Sequence, residues 1–410
     1  MSDGAAPDPL ETPPTPGGGD YAPSPLERFA VWQRAGGIAL PLATAVLAFI
    51  IGGLVVLGTG KNPITVYRAV FDGTGLNWLF PWVSGQDRSL EAINLQQTLI
   101  LTTTLILTGL AVAFAFRCGM FNIGGPGQYL VGAYFAVWVG SSLSGLPSAV
   151  HIFLAVTIAT LAGATFAGIA GLLKATVGAH EVISTIMLNW IAIWTGQYLF
   201  GLGGALQNTD PAQKFVPISN TVFDKAKLPV FWGDQLLQGL HVGFFVALGA
   251  LVVYWIVLNR TTLGYQVRAV GFNPEAARYG GINVPRNYVY AMAISGGFAG
   301  LAGACDILGW QFRISQNDIG PTSNIVFIGI AVALLGRNTA VGTFFAALLF
   351  GALLTGTSTR HLNADIFRPD LAGNLTQIIQ GLIVLFVGAD LLILAVWNQR
   401  KRLKPRRSPA

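Results

Sequence analysis

Residue types able to do covalent or metal chemistry are few in this chain and stand far apart. Four histidines, at 151, 180, 241 and 361, follow no metal-ligand spacing, and only two cysteines occur, Cys118 and Cys305. The segment GTGKN at 58–62 has the glycines and lysine of a phosphate loop. It lacks both the glycine spacing and the Ser or Thr after Lys that would hold a metal, so no ATP site is expected on this chain. No His, Asp, Glu or Cys cluster promises acid–base or nucleophilic catalysis, and an enzyme with its own cofactor is not expected. What remains is non-covalent: amides and aromatic rings set in apolar stretches, which grip polar solutes by hydrogen bonds and stacking. Asn122, Gly124, Gly127 and Gln128 surround the run Gly124-Gly125-Pro126-Gly127, Asn189 and Trp190 are adjacent further on, and Asn324, Trp310 and Gln311 are weaker candidates.

The elements that hold these groups are set by a rhythm of charge-free runs. Stretches without Asp, Glu, Lys or Arg cover 35–60, 92–116, 118–173, 182–209, 235–259, 287–305, 319–336, 338–359 and 371–389. A hydrocarbon layer roughly 30 Å thick takes about 20 apolar residues per helix. Eight runs then fit one crossing each and 118–173 fits two, which predicts ten spans. With 53% hydrophobic and 10% charged residues, the chain cannot clothe the surface of a soluble protein. The runs lack the two-residue alternation of a membrane barrel, so their backbone must close its own hydrogen bonds as helix. The expected class is all-α, a polytopic membrane protein with its transmembrane domain over 35–398.

Orientation follows from the 24 Lys and Arg residues, which collect on the cytosolic side. With the N-terminus inside, 15 of the 24 fall inside and 9 outside, so both termini are expected in the cytosol. The two cysteines then approach opposite faces, which argues against a disulfide. Residues 1–34, rich in Pro, Gly and Ser near their start, read as a disordered cytosolic tail, and no cleavable signal is visible. The closing RKRLKPRR at 400–407, within a basic tail over 399–410, reads as an orientation lock against anionic lipid rather than a nucleic-acid site.

Within this frame the Gly-Gly-Pro-Gly run lies some 12–15 Å beyond Arg117 at ~1.5 Å per residue. It is expected to break the helix there, and a break at that depth is tolerated only against protein or a water-filled cavity. The helix resuming near Gln128 would aim free N–H groups at such a cavity, with Asn122 and Gln128 beside it. A packing kink explains the same run equally well. Asn189 and Trp190 carry the same ambiguity between solute contact and interhelical packing. Asp306 and Asp390 fall at span ends, where a carboxylate usually meets the interface or a partner.

The longest cytosolic connection, 260–286, reads RTTLGYQVRAVGFNPEAARYGGINVPR. Asn273 can cap a helix, Pro274 suits its first position, Glu275 favours its positive end, and Gly280 with Gly281 ends it. A short rigid surface helix is predicted, exposing Arg268, Glu275, Arg278 and Tyr279. It is either an ordinary connector or a docking knob.

The string RAVGFNPEAARYGGI at 268–282 resembles the cytosolic coupling loop of ATP-binding-cassette importer permeases of the branched-chain amino acid and simple-sugar type. FNIGGPGQ at 121–128 resembles that family's Phe-Asn-Ile-Gly-x-Glu-Gly-Gln signature, and EVISTIMLNWIA at 181–192 resembles a second one. The likeness spans roughly 90–395 and looks most like the branch importing nucleosides or simple sugars. Pro126 stands where Glu is usual and His180 where Asn is usual, which bears on the solute rather than the fold.

The resemblance implies a permease in the inner or plasma membrane that forms half of a pathway. It also implies a second permease subunit, the same or a different chain, and separate ATPase subunits that carry ATP and Mg. An extracellular solute-binding protein would dock near 206–234 and 309–320. Inverted halves are also implied, helices two to five against seven to ten, whereas the parallel strings GLAVAFAFR (109–117) and GIAVALLGR (329–337) run in one direction. The alternatives are a permease for branched-chain amino acids or another small polar solute, and an ion-coupled transporter, which needs charges deep in its spans that these runs lack.

Overall fold

The computed structural model describes residues 39–80, 88–320, 324–358 and 369–388. The expected terminal tails, Asp390 and His361 lie outside the described residues. The chain divides into a unit over Met1–Ala43 and one over Thr44–Ala410, and all packing below is within the second. Among the described residues the regular secondary structure is helical apart from one short hairpin, as expected of an all-α chain.

Helix α1 (Ala39–Gly58) turns through 118° into α2 (Pro63–Gly73). The turn is fixed by Asn62, whose side chain caps Ile64 at 2.9 Å, and by Tyr67, whose hydroxyl donates to the Phe49 carbonyl at 2.6 Å. There follow α3 (Arg88–Arg117), α4 (Gly125–Ser142), α5 (Ser148–Val177) and α6 (Glu181–Phe200). A two-stranded antiparallel ribbon, β1 (Val230–Trp232) with β2 (Leu240–His241), leads into α7 (Gly243–Arg260). Beyond it come α8 (Thr262–Phe272), α9 (Pro274–Tyr279), and α10 (Val284–Asp306) with a π-helical extension, Ile307–Gln311. The described chain closes with α11 (Asn324–Leu335), α12 (Ala340–Gly356) and α13 (Pro369–Gly388).

Among the described residues, four helices are long and apolar enough to cross a membrane alone: α3, α5, α7 and α10 with its extension. Helix α11 has 12 residues and rises only ~18 Å, short of the ~30 Å layer. The expectation of a full crossing for run 319–336 therefore does not follow from this helix by itself. Helix α3 is the central one, with 83% of its most apolar stretch buried against 22% for α5. Its threonines satisfy themselves: the hydroxyls of Thr102, Thr103 and Thr108 donate to carbonyls four residues back at 2.7–2.9 Å. No water is needed at that depth.

Helices α4, α5 and α10 meet through small residues. Gly163 of α5 faces Gly296 and Gly300 of α10, and a Cβ on Gly300 would lie 2.6 Å from the Ala159 carbonyl oxygen. On the other side, a Cβ on Gly132 of α4 would come 2.5 Å from the Gly300 Cα. Apolar side chains gain nothing by leaving lipid for a neighbouring helix, so close backbone approach and dispersion hold such a seam. The strings GLAVAFAFR and GIAVALLGR lie side by side and parallel. Gly109 abuts Val332, Gly329 abuts Thr108, and the Arg117 side chain reaches the Arg337 and Asn338 carbonyls.

Placing a methyl group on Gly300 is expected to cost about 1–3 kcal/mol through overpacking. Gly249 on α7 has no atom within 4 Å of a built Cβ, so Gly249→Ala is expected to be neutral or slightly stabilising. Thermal unfolding of the two variants in detergent checks the contrast: Gly300→Ala melts lower than the parent and Gly249→Ala does not.

Candidate functional site

Helix α3 stops at Arg117, and the chain passes through 118–124 before α4 starts at Gly125. The break therefore precedes the Gly-Pro-Gly residues, and α4 resumes earlier than the expected point near Gln128. Pro126 sits in the first turn of α4, where its missing N–H is an unpaired position in any helix.

Around this break the expected polar residues come together as a closed knot. Asn122 Oδ1 accepts from the Gly124 N–H at 2.9 Å and from Gln128 Nε2 at 3.0 Å. Its Nδ2 donates to Gln128 Oε1 at 2.8 Å and to Ser295 Oγ at 2.7 Å. The Ser295 hydroxyl passes its proton bond on to the Ala111 carbonyl of α3. From α6, Asn189 Oδ1 accepts from the Gly127 N–H at 2.8 Å while its Nδ2 donates to the Ile123 carbonyl at 3.0 Å. Asn189 thus caps a helix to which it does not belong. Glycine at 127 admits this contact, since a Cβ there would lie 2.8 Å from Asn189 Oδ1.

Asn122, Gln128 and Ser295 are at most 1% exposed and Asn189 is 6% exposed. The N–H groups expected to face an open cavity are instead taken by these amides, because a helix start in apolar surroundings needs partners within the protein. Trp190 is not part of the knot. It is 43% exposed, because successive helix positions point about 100° apart, and it shares an outward face with Met187, Trp194 and Tyr198. Asn324 begins α11, and its side chain lies outside the described residues. At the start of α6, His180 makes no capping bond; instead Lys174 pairs with Glu181 at 2.8 Å across the α5–α6 turn.

The connection 260–286 is two helices rather than one. Thr261 caps α8 through the Gly264 N–H at 3.1 Å. The predicted helix α9 is present with its predicted cap, Asn273 Oδ1 accepting from Ala276 N–H at 3.0 Å, Pro274 in its first turn and Gly280 at its end. Arg278 and Glu275 approach at 4.0 Å on the exposed side, and Arg268 is exposed on α8. Phe272 and Tyr279 are 95% and 92% exposed. Phe272 was not singled out by the sequence, although two aromatic rings flanking a capped turn are a legible docking signal. The end of α8 rests on the α3–α4 break: a Cβ on Gly271 would collide with the Arg117 carbonyl, and one on Gly119 would lie 3.2 Å from the Gly271 Cα.

At the opposite ends of α4, α6 and α10, the two segments expected to receive a binding protein are joined to each other. Ser219 N–H donates to the Ile314 carbonyl at 2.8 Å, Val222 N–H to Phe312 at 2.9 Å, and Leu228 N–H to Leu308 at 2.7 Å. Gln197 at the end of α6 donates to the Gln316 carbonyl. Lys227 pairs with the exposed Asp224 at 2.6 Å and holds its carboxyl below the usual range. Below this cap Asp306 is buried, accepting from Thr104 Oγ1 at 2.6 Å and Tyr129 Oη at 2.7 Å. It meets partners, as a carboxylate at a span end was expected to. Ser295, Thr104 and Tyr129 were not predicted as site residues, because nothing local marks a hydroxyl whose partner is remote in sequence.

A bundle of long apolar helices that buries a polar knot and exposes a capped knob is the architecture of a polytopic membrane protein. Residues 94–388 match the family described as the permease component of branched-chain amino acid transport systems, and the chain belongs to it. It is 37% identical over 373 residues to the guanosine ABC transporter permease protein NupP of Bacillus subtilis, covering 90% of this chain and 98% of that one. It is 32% identical to the nucleoside ABC transporter permease protein NupB of Lactococcus lactis, covering 90% and 95%. To the glucose ABC transporter permease protein TsgB13 of Haloferax volcanii it is also 32% identical, covering 85% and 86%. No solved structure matches the chain.

Removing the Asn189 amide leaves the Gly127 N–H and the Ile123 carbonyl buried without a partner. Asn189→Ala is expected to cost about 1–3 kcal/mol, read as a lower melting temperature in detergent without any solute. His180→Asn supplies the missing cap of α6 and is expected to raise stability by about 1 kcal/mol in the same assay.

Proposed function

We propose that this chain is the permease subunit of an ATP-driven importer for nucleosides or simple sugars, supplying half of the pathway and no hydrolysis of its own. ATP and Mg belong, in this reading, to separate ATPase subunits. The observation that carries it is α9 with its setting: a capped helix that exposes Glu275, Arg278 and Tyr279, follows the exposed Phe272 at the end of α8, and leads through α8 onto the α3–α4 break. The solute class rests on the guanosine, nucleoside and glucose permeases that align with most of the chain.

In the proposed cycle the ATPases draw together and push α9. Gly271 against Gly119 and Arg117 passes that displacement to the break, and α4 tilts on the Asn122–Gln128–Asn189 knot. Asn122, Gly124, Gly127, Gln128, Asn189 and Asn324 border the pathway that this tilt opens, whereas Trp190, on the outward face of α6, does not. The topology that goes with the reading has ten spans, α11 and α12 contributing shorter ones, with both termini in the cytosol of the inner or plasma membrane. It is supported by the gathering of Arg117, Arg337 and Gly271 at one end of the helices and of 219–228 with 308–316 at the other. A second permease, the same or a different chain, would cover the apolar outward face of α6, and a solute-binding protein would dock on the joined outer loops. Branched-chain amino acids or another small polar solute are the alternative cargo. An ion-coupled mechanism is disfavoured, since the buried Asp306 already holds protein donors.

The Glu275–Arg278 pair is exposed and contributes little to folding. Glu275→Ala with Arg278→Ala is therefore expected to leave membrane insertion intact while uncoupling ATP hydrolysis from uptake of guanosine or glucose. Phe272→Ala with Tyr279→Ala, removing two docking anchors, is expected to weaken ATPase association at least tenfold, about 1.4 kcal/mol. Uptake that ignores both changes, or that stops with an uncoupler but survives ATP depletion, overturns the reading.

A further inference from the structure

The outer cap encloses an open cavity of about 670 Å³ whose wall includes Trp310, Gln311, Arg313, Asn317, Asp318 and Gln238. Its floor is unusual backbone. Helix α10 ends in a π-helical turn, Ile307–Gln311, followed by Phe312 with φ of +59°. A widened turn and a left-handed non-glycine residue are unfavourable, and such features gather where a side chain must be aimed. The side chain aimed here is Trp310. Its indole N–H donates inward to Asp306 Oδ1 at 3.3 Å, and that carboxylate is itself clamped by Thr104 at 2.6 Å and Tyr129 at 2.7 Å. With its one polar atom engaged below, the ring has only apolar surface to offer the cavity.

Around the ring stand groups that donate and accept. Arg313, Asn317 and Asp318 are all exposed, and neither Arg313 nor Asp318 is in an ion pair among the described residues. A wall carrying both charges favours no net charge on its occupant, whereas an aromatic platform flanked by amide and charged hydrogen-bonding groups suits a neutral solute with one flat or apolar face and several hydroxyls.

We propose that this cavity is an outer solute-receiving site for a nucleoside or hexose, in which Trp310 stacks on the solute and Asp306 is the positioning residue that fixes the Trp310 plane. The inference rests on the importer reading and adds to it a place where solute released by a binding protein first meets the permease, before the knot opens.

The native cysteines, Cys118 and Cys305, are each 1% exposed, so a single introduced thiol can be followed. Asn317→Cys in the full transporter, in cells lacking the solute-binding protein, is treated with a membrane-impermeant maleimide, with or without guanosine or D-glucose. Labelling of intact cells is expected, slowed by whichever of the two fits. Adding Trp310→Ala is expected to weaken that protection about fivefold, while Trp310→Phe, which keeps a stacking face, retains most of it. Asp306→Asn is expected to weaken protection without changing the labelling rate in the absence of solute, a split that loss of fold does not produce.

Labelling only after permeabilisation, or rates unaffected by both probes, overturns the site, and equal protection in Trp310→Ala overturns the stacking role. Uptake of radiolabelled guanosine and glucose by matched cells that contain the binding protein separates the two proposals. Uptake without protection refutes the cavity alone, and absence of both uptake and protection refutes the importer reading with it.

Discussion

A helix broken inside an apolar medium has no water to satisfy its freed backbone groups, and the permease is organised around meeting that need from other helices. At the α3–α4 break the donors of Gly124 and Gly127 are taken by Asn122 and Asn189. At the α11–α12 break, Arg337 and Asn338 both have positive φ. There the carbonyls are the exposed groups, and Arg117 and Tyr254 donate to Asn338 at 2.7 and 2.8 Å. The end of α3 therefore supports both breaks: Arg117 closes one and borders the other. Those caps form only if the helices approach closely, which is what the small-residue seam of α4, α5 and α10 provides.

The same arrangement ties the two ends of the molecule to its middle. On one end, α8 and α9 bear exposed aromatic rings and rest by backbone contact on the α3–α4 break. On the other, the loops over 206–234 and 308–320 hydrogen-bond to one another, to the end of α6 and to the π-helical end of α10. Helix α10 belongs to both systems, since Ser295 enters the knot and Asp306 anchors Trp310. Helices α4 and α10 thus make contacts at both ends of the bundle.

Much of the fold was legible because it depends on composition over windows of 18 residues or more. Every charge-free run carries a helix among the described residues, and α9 appeared with the cap, proline and terminal glycine that its eight-residue string specifies. Less legible was the start of α4: Pro126 reads as a breaker, yet in a first turn it removes only a donor that is unpaired anyway. Asn189 and Trp190 look like one site in sequence and face apart in space. The length of α11 was also hidden, since a charge-free run bounds a helix without fixing where its hydrogen bonds begin.

Lipid as the solvent, helix as the only backbone that such a solvent permits, and a rigid knob in the longest basic connection were determined by the sequence alone, because each follows from local composition or from contacts within four residues. Which amides cap which helix was decided only by the tertiary structure. Asn122 and Ser295 stand 173 residues apart, Thr104 and Asp306 202 apart, and Arg117 and Asn338 221 apart. No local pattern marks such partners, since a buried hydroxyl or amide is satisfied by whatever the fold brings to it.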